Sequence, residues 1–418
     1  MKENTIKTPY TCTLSQTFDV SHLVMIAAPE GDASSATLED QLVETHENIS
    51  RTMAQHAPGG HVLQLTIFLK NYEERSACQK WFRSAYGARL PVCVYIPQPP
   101  CDGQHLVIEA TIEFPREGGA CSLEFVNDRF LVSHHSGASW YYAACQEPSN
   151  YERSVYSQSV EMFQSLDRLF SARGVLFENV IRTWLYLGNI TEPCFSEIEG
   201  ETQRYKELNR GRTDFFRDIH FFDGMLPVPL PHDVYPASTG IGGVGDTMVM
   251  SALAVRFDSP QDGCIVPLEN PQQVSAFDYG EEYSLKSPKF ARALLAATGE
   301  SGVIFVSGTA SITDSESRFD GDPIAQTELT LENIRILIDE SNLAAHGKPG
   351  FGVALDEMAM ARVYVKRLED YDAIRSVCER MIPNVPKLYT VADVCRPELL
   401  VEIEGIAYAG PDKNVCRF

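Results

Sequence analysis

Apolar positions along the chain follow two rhythms, and the pair of rhythms recurs three times. In SGVIFVSGTASI (301–312) a nearly continuous apolar run ends in small residues, which reads as a buried strand entering a turn. PIAQTELTLENIRILIDES then places apolar residues at helical spacing. MARVYVKRLEDYDAIRSVCERMI adds a strand, a turn and a second helix, and KLYTVADVCRPELLVEIEGIAYA closes with strands. The order is β-α-β-α-β-β. The middle of the chain repeats it through SWYYAACQ, YSQSVEMFQSLDRLFSARG, NVIRTWLYLGNI, FSEIEGETQRYKELNRGRTDFF and YPASTGIGGVGDTMVMSALAV. A more worn copy runs through HLVMIAAP, QLVETHENISRTMAQ, HVLQLTIFLKNYEE, SACQKWFRSAYG and LPVCVYIPQPPCDGQHLVIEATIEF.

Three matches in register support the repeat. Gln41, Gln158 and Gln326 open the first helix of each copy, and Phe68, Tyr186 and Tyr364 occupy one place in the three central strands. The pattern predicts an α+β protein of three tandem units over 1–130, 131–260 and 261–418, the last including a linker. PREGGACSLEFVNDRF and the stretch from Arg256 to Phe290 read as connecting loops with short strands, and PDKNVCRF as a frayed end.

Composition narrows the function. A net charge of −22 over 418 residues argues against nucleic acid or an anionic membrane as partner. A small anionic ligand would need a local cationic pocket. Eleven scattered cysteines without a CxxC favour reduced thiols. No apolar run is long enough to span a membrane and the N-terminus has no signal-like apolar region, so a cytoplasmic protein is expected. Ten histidines form neither HxxxH nor HExxH, and the pair His134–His135 reads as exposed, so no metal site is expected. STGIGGVG lacks nucleotide-loop spacing, and its glycines read as room for a ligand to approach the backbone.

One copy of the repeat resembles the Rid/YjgF subunit, with FVSGTASI, RVYVKRLEDY and LLVEIEGIA as typical stretches. That resemblance implies chorismate-mutase-like units, normally trimeric, here fused into an intramolecular pseudo-trimer that works as a monomer. RTWLYLGNI, RTDFF, YPASTGIGG, SPKFARA and VADVCRPELLVEIEG together resemble the chorismatase family over most of 130–410. Chorismatases split chorismate into pyruvate and a cyclic acid. Gly308 in SGTASI and Cys395 in VADVCRPE resemble the 3-hydroxybenzoate-forming type, which implies that conversion without a cofactor. The alternatives are a hydrolytic chorismatase, a Rid-type imine deaminase and a non-catalytic ligand-binding protein.

The candidate chemistry centres on Glu402 and Glu404. Alternation puts them on one face of a strand, about 6–7 Å apart. Solvent exposure is the ordinary reading of such a pair. However, the other copies carry Val107 and Val249 where Glu402 stands, so the fold does not require this acid. A buried carboxyl with a raised pKa is suited to protonate the methylene of an enol ether, and the resemblance assigns that role to Glu402. Glu404, aligned with Glu109 and Ser251, would orient it or raise its pKa. Two substrate carboxylates call for cations. Lys387 falls where Rid-type subunits place an arginine, with Ser238 and Val92 or Cys93 as counterparts. Arg210, Arg212 and Arg217 lie in NRGRTDFFR, and Arg182, in an apolar strand, needs an acidic partner or a ligand. Tyr235 and Ser238 in YPASTGIGG are further substrate-binding candidates, and Arg292 and Arg396 are weaker ones.

Overall fold

The computed structural model describes residues 10–29, 36–278, 286–411 and 413–418. The start of the expected first unit and part of the connector before Phe290 lie outside the described residues. Three six-stranded sheets share one strand order. In the third, Cys264–Leu268 is followed in space by Ala293–Thr298, Ser301–Ala310, Val401–Ala409, Met360–Val365 and Lys387–Val391. The first runs Val415–Arg417, Tyr10–Ser15, Val20–Ala27, Leu106–Pro115, His61–Leu69 and Val92–Ile96. The second runs Ser122–Asn127, Phe130–His135, Ala138–Cys145, Met248–Phe257, Val180–Gly188 and Ala237–Gly243. In each sheet the final pair is parallel and the other pairs are antiparallel.

A parallel pair needs a crossover, and the helices Arg75–Tyr86, Arg204–Phe216 and Tyr371–Met381 supply it. The longer helices Leu38–His56, Val155–Ser171 and Pro323–Ile338 start at Thr37, Ser154 and Asp322, whose side-chain oxygens accept from first-turn amides. Two of the three aligned glutamines do the same work. Gln41 Oε1 accepts from His105 N and Gln326 Oε1 from Leu400 N, each just before a sheet's central long strand. Gln158 instead donates to the carbonyls of Tyr151 and Arg153.

The connectors carry short strands, as their pattern suggests. Each sheet gains two strands outside the β-α-β-α-β-β core, so PREGGACSLEFVNDRF supplies the strand Ser122–Asn127, ahead of the division expected at 130. The tail is not frayed: Val415–Arg417 pairs with Thr13–Ser15 and closes the edge of the first sheet. These edge segments are short and half-exposed, so their apolar rhythm is weak.

The inner faces of all three sheets share one core, which includes Val24, Val107, Tyr186, Leu253, Phe305 and Tyr408. The loops after the parallel strands also meet. Gln98 Nε2 donates to Gly242 O, Thr390 Oγ1 to Gln98 Oε1, Gly242 N to Asp393 O and Val391 N to Pro99 O. The parallel edge Val92–Ile96 of the first sheet packs on Ala138–Cys145 of the second. Likewise Ala237–Gly243 of the second sheet packs on Ser301–Ala310 of the third.

Candidate active site

Glu402 and Glu404 do share a face of Val401–Ala409, and that face is interior: they are 5% and 2% exposed. Strand register supports the alignment of the copies. Glu402 pairs with Tyr364, Val107 with Phe68 and Val249 with Tyr186. Only the third sheet carries an acid at this place.

The neighbouring strand makes room for it. Between Val306 and Thr309 the pairing with Val401–Ala409 slips by one residue, so Ser307 and Gly308 form a bulge opposite Glu404. The bulge is pinned to the second sheet: Gly308 N donates to Thr239 Oγ1 at 2.9 Å, and Ser238 N donates to Ser307 Oγ at 2.9 Å. A Cβ built on Gly308 would overlap Glu402 Oε1. Glycine at 308 is thus what lets the carboxyl lie against the backbone here.

The two acids sit in opposite electrostatic settings. Burial, and then the Glu404 carboxylate, push the Glu402 carboxyl up to about 8, against the opposing pull of Arg182 and Arg292. Glu404 is equally buried, yet Arg182, Arg362, Thr239 and Tyr364 hold its carboxyl below the usual range. Arg182 and Thr239 Oγ1 both donate to Oε2 of Glu404. Oε1 accepts from Arg362 and Tyr364 at 2.8 Å and from Trp184 Nε1 at 3.2 Å. Arg362 also forks onto Glu109 with contacts of 2.6 and 2.9 Å. Two guanidiniums and two carboxylates from three sheets balance without Glu402, which is free to be the neutral acid.

Glu402 opens into a cavity of about 280 Å³ at the joint between the second and third sheets, near the lower end for small-ligand pockets. Gly308, Cys395, Ser238 and Gly240 line it, with Arg292, Arg396 and Lys206 as cations on its wall. Burial pushes the Cys395 thiol up to about 12, so it stays neutral.

The sequence is similar to those of proteins of known name. The 3-hydroxybenzoate synthase of Streptomyces hygroscopicus is 36% identical over 278 residues, covering 65% of this chain and 74% of that protein. This chain belongs to the chorismatase family. A chorismatase of Streptomyces rapamycinicus is 34% identical, covering 57% of this chain and 67% of its own length. The family model described as Endoribonuclease L-PSP matches residues 285–409. A solved chorismatase structure shares the fold with a TM-score of 0.63 at 22% identity, covering 83% of this chain and 93% of that one.

The structure gathers some of the expected chorismatase-type residues and separates others. Glu402, Gly308, Cys395 and Ser238 line one cavity, while Arg182 and Glu404 stand behind it and answer each other's charge. Arg210 does not line it: it forks onto Glu207 and covers the Tyr156 ring. Arg217 pairs with Asp214 at the surface. Tyr235 packs among Phe216, Phe221 and Phe277, away from the cavity. Lys387 donates to the carbonyls of Ile382 and Val385 at 2.8 Å, satisfying the end of the preceding helix. Its strand edges the joint between the third and first sheets, whereas Ser238, its register counterpart, faces Glu402.

Arg212, not its neighbours, points toward the site. It is 1% exposed, donates to Ser238 Oγ at 3.3 Å and to Asn209 Oδ1 at 2.5 Å, and has no carboxylate in ion-pair reach among the described residues. Helical spacing separates it from the other two arginines of the motif. Tyr205, Asn209 and Arg212 fall on one face of Arg204–Phe216, and Glu207, Arg210 and Asp214 fall on another. Arg362, which ties Glu404 to Glu109, gave no separate signal within its ordinary strand motif.

Proposed function

We propose that this chain converts chorismate to 3-hydroxybenzoate and pyruvate at the Glu402 cavity. The observation that carries the reading is a buried carboxyl kept neutral up to about pH 8 beside a second carboxylate kept ionised. The named relatives support the substrate, and Gly308 with Cys395 supports the product type. Glu402 delivers its proton to the enolpyruvyl methylene, leaving an oxocarbenium ion. The ring–oxygen bond then breaks and pyruvate leaves. The substrate's own 4-hydroxyl oxygen bonds to the vacated ring carbon and its proton returns to Glu402. The resulting arene-oxide-like species rearranges to the phenol. Atoms balance with no net water and no change of oxidation state, so no cofactor is called for. Arg292, Arg396, Lys206 and the Arg212–Ser238 pair hold the substrate carboxylates.

The same proposal takes the stretches 1–130, 131–260 and 261–418 as three Rid/YjgF-like units closed into an intramolecular pseudo-trimer, active as a monomer. The shared strand order and the meeting loops support it. Eleven free cysteines fit a cytoplasmic location. No described helix is long and apolar enough to cross a membrane. Incubating the purified chain with chorismate tests the reading. Hydroxybenzoate and pyruvate in equal amounts, both lost in Glu402→Gln, are expected. A product heavier by one water would instead make it a hydrolytic chorismatase.

A further inference from the structure

Outside the Glu402 cavity, the buried polar cluster with the least ordinary chemistry is His22, Glu113 and His135. His22 and Glu113 are cross-strand partners in the first sheet, and His135 ends a strand of the second. The site therefore straddles a joint between sheets. All three are buried, with exposures of 7%, 0% and 5%, so the exposed reading of His135 does not hold, although its neighbour His134 is half-buried.

The donor atoms converge closely enough to share one ion. Nε2 of His22 lies 3.3 Å from Glu113 Oε2, and Nε2 of His135 lies 3.4 Å from the same oxygen. The three donor atoms lie within 4.8 Å of one another. Around a tetrahedral ion with bonds of about 2.0–2.1 Å, neighbouring donors stand roughly 3.3 Å apart. Yet Glu113 Oε2 makes no hydrogen bond, nor does His22 Nδ1. Among the described residues no Lys or Arg reaches Glu113, which leaves a fully buried carboxylate with two imidazoles as its only ion-pair partners.

The surroundings meet the other requirements of a metal site. Ser133 Oγ donates to Glu113 Oε1 at 2.7 Å and fixes the carboxylate. Ser136 Oγ lies 3.2 Å from His135 Nδ1. Both rings are clamped: His135 stacks on Trp140 and His22 on Tyr408. On the inner side His22 borders a cavity of about 60 Å³, large enough to hold a water. On the outer side His135 borders a surface depression with Asp19 and Arg116, which offers a path for entry.

We propose that His22 Nε2, Glu113 Oε2 and His135 Nε2 bind one divalent first-row transition ion of the zinc type. A donor set of two imidazoles and one carboxylate suits such an ion over calcium or magnesium. The ion ties the first sheet to the second, so it stabilises the folded chain and takes no part at Glu402.

The test is a titration of the full-length chain, stripped with a chelator, with Co²⁺ alone. One equivalent is expected to give the strong visible bands of four-coordinate cobalt, and one equivalent of Zn²⁺ to abolish them. Zn²⁺ should also raise the melting temperature of the stripped chain. Glu113→Gln and His135→Ala are expected to lose the bands, and His134→Ala to keep them. The absence of saturable bands in the unsubstituted chain would overturn the proposal, whatever the variants do. So would bands of full strength in His135→Ala.

Discussion

Glu402 is costly to the fold and is therefore informative. Between the ordinary carboxyl range and about pH 8 the unfolded chain releases a proton that the folded chain keeps. Stability therefore falls as pH rises through that window. Glu402→Gln removes the slope and should be more stable above pH 8, by about 3–5 kcal/mol, as read from denaturant unfolding at several pH values. In the unsubstituted chain the acid must be protonated to act. Turnover should hold level below about pH 8 and fall with rising pH beyond it, in a kcat–pH profile. Glu404→Gln has the opposite character. It removes the carboxylate paired with Arg182 and leaves Arg362 with Glu109 alone, and should cost about 3–5 kcal/mol in the same unfolding measurement. Much of this was legible beforehand, because comparing Glu402 with Val107 and Val249 marks the acid as dispensable to the architecture. Its setting was not legible. The guanidinium that answers Glu404 comes from another sheet, over two hundred positions away in sequence, and Gly308 matters only because a bulge turns it onto the carboxyl.

At the scale of elements, periodicity located helices and central strands but not which face meets the cavity. The arginines of NRGRTDFFR show this. Charge alone groups them, while the 3.6-residue turn sends Arg212 inward and Arg210 and Arg217 onto acids of their own helix. Arg212→Met should raise KM at least tenfold with a smaller effect on kcat, whereas Arg217→Ala should change neither, by steady-state kinetics of pyruvate release. Lys387 illustrates a different limit. Its register position was read correctly, but a site at a joint takes one wall from each of two sheets. The counterpart that faces Glu402 is Ser238, and Lys387 serves its own helix end.

At the scale of the whole molecule, three sheets share one strand order, and only the third carries an acid at the critical position. Binding of a non-reacting chorismate analogue should saturate at one site per chain by calorimetry, and light scattering should give the mass of a single chain. Two sites per chain would mean that Val107 or Val249 lines a second working cavity. The three repeats were visible as apolar rhythm, whereas the strands pass from the first sheet to the second between Pro115 and Ser122, ahead of the division expected at 130. The short strands of the connectors were legible, but the returning tail was not, because a three-residue, half-exposed edge strand buries too little to impose a pattern.

The central claim is that a neutral Glu402 drives an intramolecular displacement on chorismate, and the mass of the ring product tests it most directly. Chorismate incubated in water enriched in heavy oxygen should give hydroxybenzoate with an unlabelled phenolic oxygen, along with one pyruvate per ring. A ring product that carries label from the solvent, or an unchanged yield from Glu402→Gln, would contradict the account.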